Sequence, residues 1–170
     1  EHLTGVIDFP LPAGRYAVSA VFTQSTGRGA VTSIGDVVVP DGGATLTASD
    51  LVIGSSVSNV RWPSGLSMVP LHPLNAFRVG DEAEIYLQVG GASVDLPYRI
   101  RFDFFKIDRD VAKSPQLSIG FEQNAPATSW EIRRSVGLNN LEPGRYLVRV
   151  TVSGGGSTSE AAGRLTVVGR

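Results

Sequence analysis

Two stretches of this chain, residues 11–22 (LPAGRYAVSAVF) and 141–152 (LEPGRYLVRVTV), place Leu, Gly, Arg and Tyr at identical spacing, 130 positions apart. In the second copy Pro143-Gly144 makes a tight turn, because proline presets its own φ and glycine accepts a positive one. Behind the turn apolar and polar residues alternate, the pattern of a strand with one buried face. Tyr146, Val148, Val150 and Val152 share one face, and Arg145, Leu147, Arg149 and Thr151 share the other. Tyr16, Val18, Ala20 and Phe22 repeat the inward set in the first copy.

A tyrosine just after such a turn has the pattern of a tyrosine corner, with its ring in the core and its hydroxyl bonded to backbone upstream. Tyr16 and Tyr146, with Gly14, Gly144 and Pro143, are therefore read as structural residues. The fold class expected is all-β, an immunoglobulin-like Greek-key β-sandwich. The repeat extends past the corner: Val37 and Val38 stand at the same 130-residue offset from Val167 and Val168, and residues 1–9 align with 131–139. Each copy thus reads as three strands, which suggests tandem homologous domains. The expected division is residues 1–40 as the last three strands of one sandwich, 41–45 (DGGAT) as a linker, and 46–170 as a complete sandwich.

Between the copies, residues 46–54 read as the opening strand of the second domain. Residues 55–75 are broken by Gly, Ser, Asn and Pro, with one short strand expected around residues 66–71; long irregular connections are where function is most easily grafted. In residues 80–91 Ala83, Ile85, Leu87 and Val89 alternate with Glu82, Glu84, Tyr86 and Gln88. In residues 97–107 Tyr98, Ile100, Phe102 and Phe104 alternate with Arg99, Arg101 and Asp103, and the phase then shifts to Phe105 and Ile107, for which a bulge near Phe104-Phe105 is expected. Strands are also expected at residues 117–121 and 130–138. No stretch keeps a 3.6-residue apolar period, so almost no helix is expected.

The net charge is −1, without a basic or acidic block. This argues against nucleic acid as a partner and against a polybasic membrane-surface segment. No apolar run approaches the ~20 residues of a membrane-spanning helix. The absence of cysteine removes disulfides, thiolate metal sites and cysteine nucleophiles. The chain opens at Glu1 without a signal-peptide pattern and is read as a fragment of a longer protein or a chain after processing.

LPAGRY, a strand ending in VVVP, a Gly-rich linker and then LTASDLVIG, followed by GDEAEIYLQV and LEPGRYLVRV, resemble the C-terminal immunoglobulin-like region of large secreted bacterial proteins that carry a von Willebrand factor A-related or GWxTD domain upstream. The resemblance implies an exported bacterial protein at the cell surface, in the periplasm or outside the cell. It transfers no site, because the chain has neither a GWxTD motif nor the D-x-S-x-S metal motif.

Candidate chemistry is sparse. His2 and His72 lack the nucleophile elbow that a Ser-His-Asp machine needs, since no G-x-S-x-G occurs. Glu82 and Glu84 read as a solvated strand face, and Asp81 as part of the turn before it. Asp108 and Asp110 lack the spacing of a calcium loop. No catalytic residue, cofactor or metal is expected. Arg61 and Trp62 form the one irregular pair suited to contacting a ligand or partner, since a loop tryptophan can stack on a sugar or anchor a protein. The function expected is a non-catalytic structural or protein-interaction module, the alternative being a carbohydrate-binding module around Trp62. The stripe of residues 1–40 must also find a cover, either the 46–170 domain or, the favoured expectation, a second copy in a two-fold dimer through those strands.

Overall fold

A computed structural model describes residues 7, 10–64 and 67–169; all regular structure in them is β-strand, and none is helix. The chain divides into two units between Gly43 and Ala44.

Residues 7–43 hold one antiparallel hairpin, β1 (Gly14–Thr23) and β2 (Gly29–Val39). Its register slips by one residue beside Val18 and Ser19, opposite Gly35 with φ 96°. The alternating stripe is only half covered at Tyr16, Val18 and Ala20, and Phe22 is 60% exposed. The first of the three strands expected here, at residues 1–9, lies outside the described residues apart from Ile7.

In residues 44–169 the chain lays down two large sheets and one small hairpin. The larger orders its strands β10 (Leu117–Asn124), β9 (Pro97–Ile107), β12 (Gly144–Gly154), β13 (Ser157–Val168) and β7 (Ala76–Arg78). The smaller orders β11 (Ser129–Gly137), β8 (Glu82–Gly90) and β3 (Thr47–Ala48), with β4 (Val52–Gly54) also paired to β8. All pairs are antiparallel except β13 with β7. The alternating residues put Ala83, Ile85, Leu87 and Val89 of one sheet and Ile100, Phe102, Phe104, Tyr146, Val148, Val150 and Val152 of the other into one core, each almost or wholly inaccessible. At one open side Arg134 of β11 lies 4.0 Å over the Phe121 ring of β10, a cation–π contact between sheet edges.

Three expectations need correction. Residues 46–54 are not one strand. β3 and β4 share one edge of β8, but the partner sum moves by one residue between Ala48↔Val89 and Val52↔Tyr86. Ser49 fills the gap, its Oγ accepting the Gln88 N–H at 2.9 Å. No bulge occurs at Phe104-Phe105, since β9 keeps unbroken register with both β10 and β12. The second apolar phase arises because Phe105 is buried on the outer face, with the Arg149 guanidinium 5.1 Å from its ring. Finally, the outer face of β8 is not uniformly solvated, because a third hairpin, β5 (Arg61–Ser64) and β6 (Ser67–Pro70), lies across it. Beneath that hairpin Tyr86 is 2% exposed and the Glu84 side chain 13%. Leu66, expected to open the strand of residues 66–71, lies outside the described residues. Gly54 permits the close approach of β4 to this segment, since a Cβ there would meet the Pro70 carbonyl oxygen at 1.7 Å.

Candidate functional site

At the two corners the same local code produces the same hydrogen bond. The Tyr146 hydroxyl donates to the Glu142 carbonyl at 2.8 Å, and the Tyr16 hydroxyl to the Pro12 carbonyl at 2.7 Å. Gly144 and Gly14 precede them at φ 154° and 158°. Tyr146 is fully buried, with the Gln116 side-chain amide 2.5 Å from its hydroxyl, and burial pushes its phenol up. Pro143 is exposed beside it. Outside the corner the Lys106 ammonium sits 2.5 Å from Glu142, holding that carboxyl below its usual range.

Arg61 and Trp62 lie on β5. Arg61 is exposed; Trp62 is half-buried, its ring edge-on to buried Tyr86 at 5.9 Å and 86°. The hairpin that carries them is fastened by a polar set beneath it. Ser64 and Ser67 each donate to a different carboxylate oxygen of Glu131 at 3.0 Å, and Arg133, paired to Glu84, reaches the Met68 carbonyl. Burial works to raise the Glu131 carboxyl. Hydrogen bonds from Tyr86, Ser64, Ser67 and Gln88 outweigh it and hold the group below the ordinary carboxylate range. This cluster ties a hairpin to a sheet, and Trp62 packs as its apolar anchor. His72, on the loop before β7, tilts against Phe77 at 4.8 Å, and its buried Nδ1 has no hydrogen-bond partner among the described residues. His2 lies outside the described residues. Among the described residues no group of three His, Asp or Glu side chains could hold a metal ion. Asp108 and Asp110 are both exposed, on the loop after β9.

The feature that sequence reading missed is the outer face of the five-stranded sheet. Register sets Arg101 of β9 beside Thr151 of β12 and Asp103 beside Arg149, with Glu160 of β13 opposite Thr151. Together with Arg99, Lys113 and Pro115 these side chains line a shallow groove of about 440 Å³. Asp103 is its fixed point: only 6% exposed, it accepts from Arg101 Nε at 2.9 Å and from Ser118 Oγ at 2.5 Å. Asp103 holds Arg101 by Nε, and the Arg101 side chain is 54% exposed. A second groove of about 510 Å³ gathers Arg109, Arg145 and Arg164. Seven of the chain's fifteen Lys and Arg therefore line these two grooves, although the whole chain is at −1. The signal was present as outward Arg99 and Arg101 on one strand and Arg145 and Arg149 on another. Their convergence depends on register across strands, which no local pattern states.

The chain matches no protein-family model, and no curated protein matches it in sequence.

Proposed function

We propose that residues 44–169 form a non-catalytic immunoglobulin-like interaction module of an exported bacterial protein, and that its docking face is the arginine-lined side of the five-stranded sheet. The observation that carries this is the groove over Asp103. A buried carboxylate orients one guanidinium, Arg99 and Arg149 flank it on β9 and β12, and Lys113 adds a cation from the loop after β9. The strand orders β11-β8-β3 and β10-β9-β12-β13 support the immunoglobulin-like part of the reading. So does the corner tyrosine on a strand hydrogen-bonded to both β9 and β13. Export rests on the resemblance of the LPAGRY, GDEAEIYLQV and LEPGRY segments.

The partner that fits is an extended acidic polypeptide. Alternate residues of an extended chain are roughly 6.6 Å apart, the same repeat as Arg99 and Arg101 along β9. A continuous phosphate backbone fits less well, because Asp103, Glu122 and Glu160 interrupt the basic face. Phe105, at 8% exposure, also offers no platform for base stacking. The test is fluorescence anisotropy with a labelled peptide of alternating glutamates, with Arg101→Glu/Arg149→Glu as the comparison and circular dichroism as the fold check. Binding should fall at least about tenfold in the double variant and weaken with salt. Equal binding by both proteins, or tighter binding of a single-stranded oligonucleotide than of the peptide, would overturn the reading.

A further inference from the structure

The two arginine-lined grooves differ in how their cations are partnered. In the first, Arg99, Arg101 and Arg149 are each paired to a carboxylate, those of Glu122, Asp103 and Glu160. In the second, Arg109, Arg145 and Arg164 make no ion pair among the described residues. No acidic side chain lines that groove either. Asp108 and Asp110, the neighbours of Arg109 in sequence, are exposed and outside the lining.

Register brings the three cations together. Arg145 of β12 stands opposite Thr166 of β13, and Arg164 stands opposite Leu147, so the two arginines are diagonal neighbours on one face. Such diagonal neighbours are roughly 7–8 Å apart, within reach of two long side chains. Arg109 comes from the other side. Ile107 faces Arg145 across β9 and β12, and a terminal nitrogen of Arg145 donates to the Asp108 carbonyl at 3.4 Å, which holds the Arg109 loop beside it. Three like charges around one hollow repel one another, and a bound anion relieves that repulsion.

The rest of the lining indicates which anion. Thr166 and Asn75 bring a hydroxyl and an amide, and the Thr166 N–H donates to the Asn75 carbonyl at 2.8 Å, fixing the two together. One bidentate guanidinium satisfies a carboxylate. A phosphate monoester has three terminal oxygens and close to two negative charges, enough for all three arginines. Leu74, 77% exposed, and Ile107 supply apolar surface for the carbon atoms of an ester. The volume of about 510 Å³ suits a small organic ligand.

We infer that the groove bounded by Arg109, Arg145 and Arg164 binds phosphate monoesters, with the phosphoryl group on the guanidiniums and the ester carbons on Leu74 and Ile107. The site is separate from the groove over Asp103 and does not depend on it.

The probe is phenyl phosphate, titrated calorimetrically into the full 170-residue chain. Saturable binding is expected, at least about tenfold tighter than that of phenyl sulfate or benzoate, which carry one charge each. Arg145→Gln/Arg164→Gln should weaken it at least about tenfold. Arg101→Gln/Arg149→Gln should leave it within about twofold, because solvent and salt screen the more distant groove. Circular dichroism checks the fold, and Arg109→Gln, on a loop, gives the same weakening without touching a strand. Vesicles containing phosphatidic acid form the second arm. Sedimentation of the chain with them, reversed by phenyl phosphate, would place the monoester on a lipid headgroup. Binding of the probe without sedimentation would place it on a soluble ester. Absence of saturable binding, equal losses in the two double variants, or benzoate or phenyl sulfate binding as tightly as phenyl phosphate would overturn the inference.

Discussion

The β1–β2 and β12–β13 hairpins are one local structure in two environments. Both turn through a positive-φ glycine, and both place a tyrosine two residues later whose hydroxyl reaches back four residues to a carbonyl. In β12 the stripe of Tyr146, Val148, Val150 and Val152 is fully buried; in β1 the equivalent Phe22 is 60% exposed. The corner is therefore encoded locally, by a turn and one side chain. Burial is supplied by strands distant in sequence, chiefly β9 beside β12 and β8 across the core. The two hairpins also differ in register. Tyr146 faces Leu165, but Tyr16 faces Val37, so the offset of 130 that holds between β1 and β12 becomes 128 at the second strand. One extra residue sits in the slip beside Val18 and another in the longer loop after Thr23. Val37 and Val38 are thus not the counterparts of Val167 and Val168, as the uniform offset suggested.

The largest difference expected between the hairpins is in backbone protection. Amides of β12 should exchange only through global unfolding, and those of β1 at least about 100-fold faster, as measured by native-state hydrogen exchange. Comparable protection would mean that β1 is covered as well as β12.

Side-chain deletion should separate them next. Tyr146→Ala should cost roughly 3 kcal/mol or more through the cavity it leaves. Tyr16→Ala should shift the main urea transition by less than about 0.5 kcal/mol. Equal costs would break the contrast. Removing the hydroxyl alone sharpens it: Tyr146→Phe should lose about 1 kcal/mol with the part-buried hydrogen bond to the Glu142 carbonyl, while Tyr16→Phe should lie within experimental error.

The third hairpin, β5–β6, is an intermediate case, held by polar contacts to a half-buried carboxylate. The folded state holds Glu131 below its ordinary range, so its contribution is complete above the unfolded value of 4.5 and disappears as pH falls through the lower folded value. Discounted for partial exposure, Glu131→Gln should cost about 0.5 kcal/mol near neutral pH. The difference from the parent protein should close in denaturation curves taken toward pH 3. A gap that persists there would assign the effect to packing rather than charge.

What could be read from the sequence follows the same division between local and distant causes. The inward sets of β8, β9 and β12 were legible because one buried face imposes a period of two. The corners were legible because Pro143-Gly144 and the following tyrosine act within six residues. Phe105 misled, because alternation assumes a wet outer face, and Arg149 covers that position from the neighbouring strand. Residues 55–75 could not be read in detail, because β5–β6 is fastened by Ser64 to Glu131, 67 positions away. The basic grooves were hidden for the same reason: three strands and a loop contribute cations that no single segment concentrates.

The five-stranded sheet ends at β7, three residues long and parallel to β13. At the opposite end β10 has Arg134 laid across Phe121. So short a strand at one border, and a charge at the other, discourage stacking of further chains onto this sheet. If the protein forms fibrils under stress, their seed should therefore lie in residues 14–39, where Val21, Val31 and Val38 are all more than half exposed at paired strand positions. Storage stability would then be set by the smaller unit, however stable the larger one is.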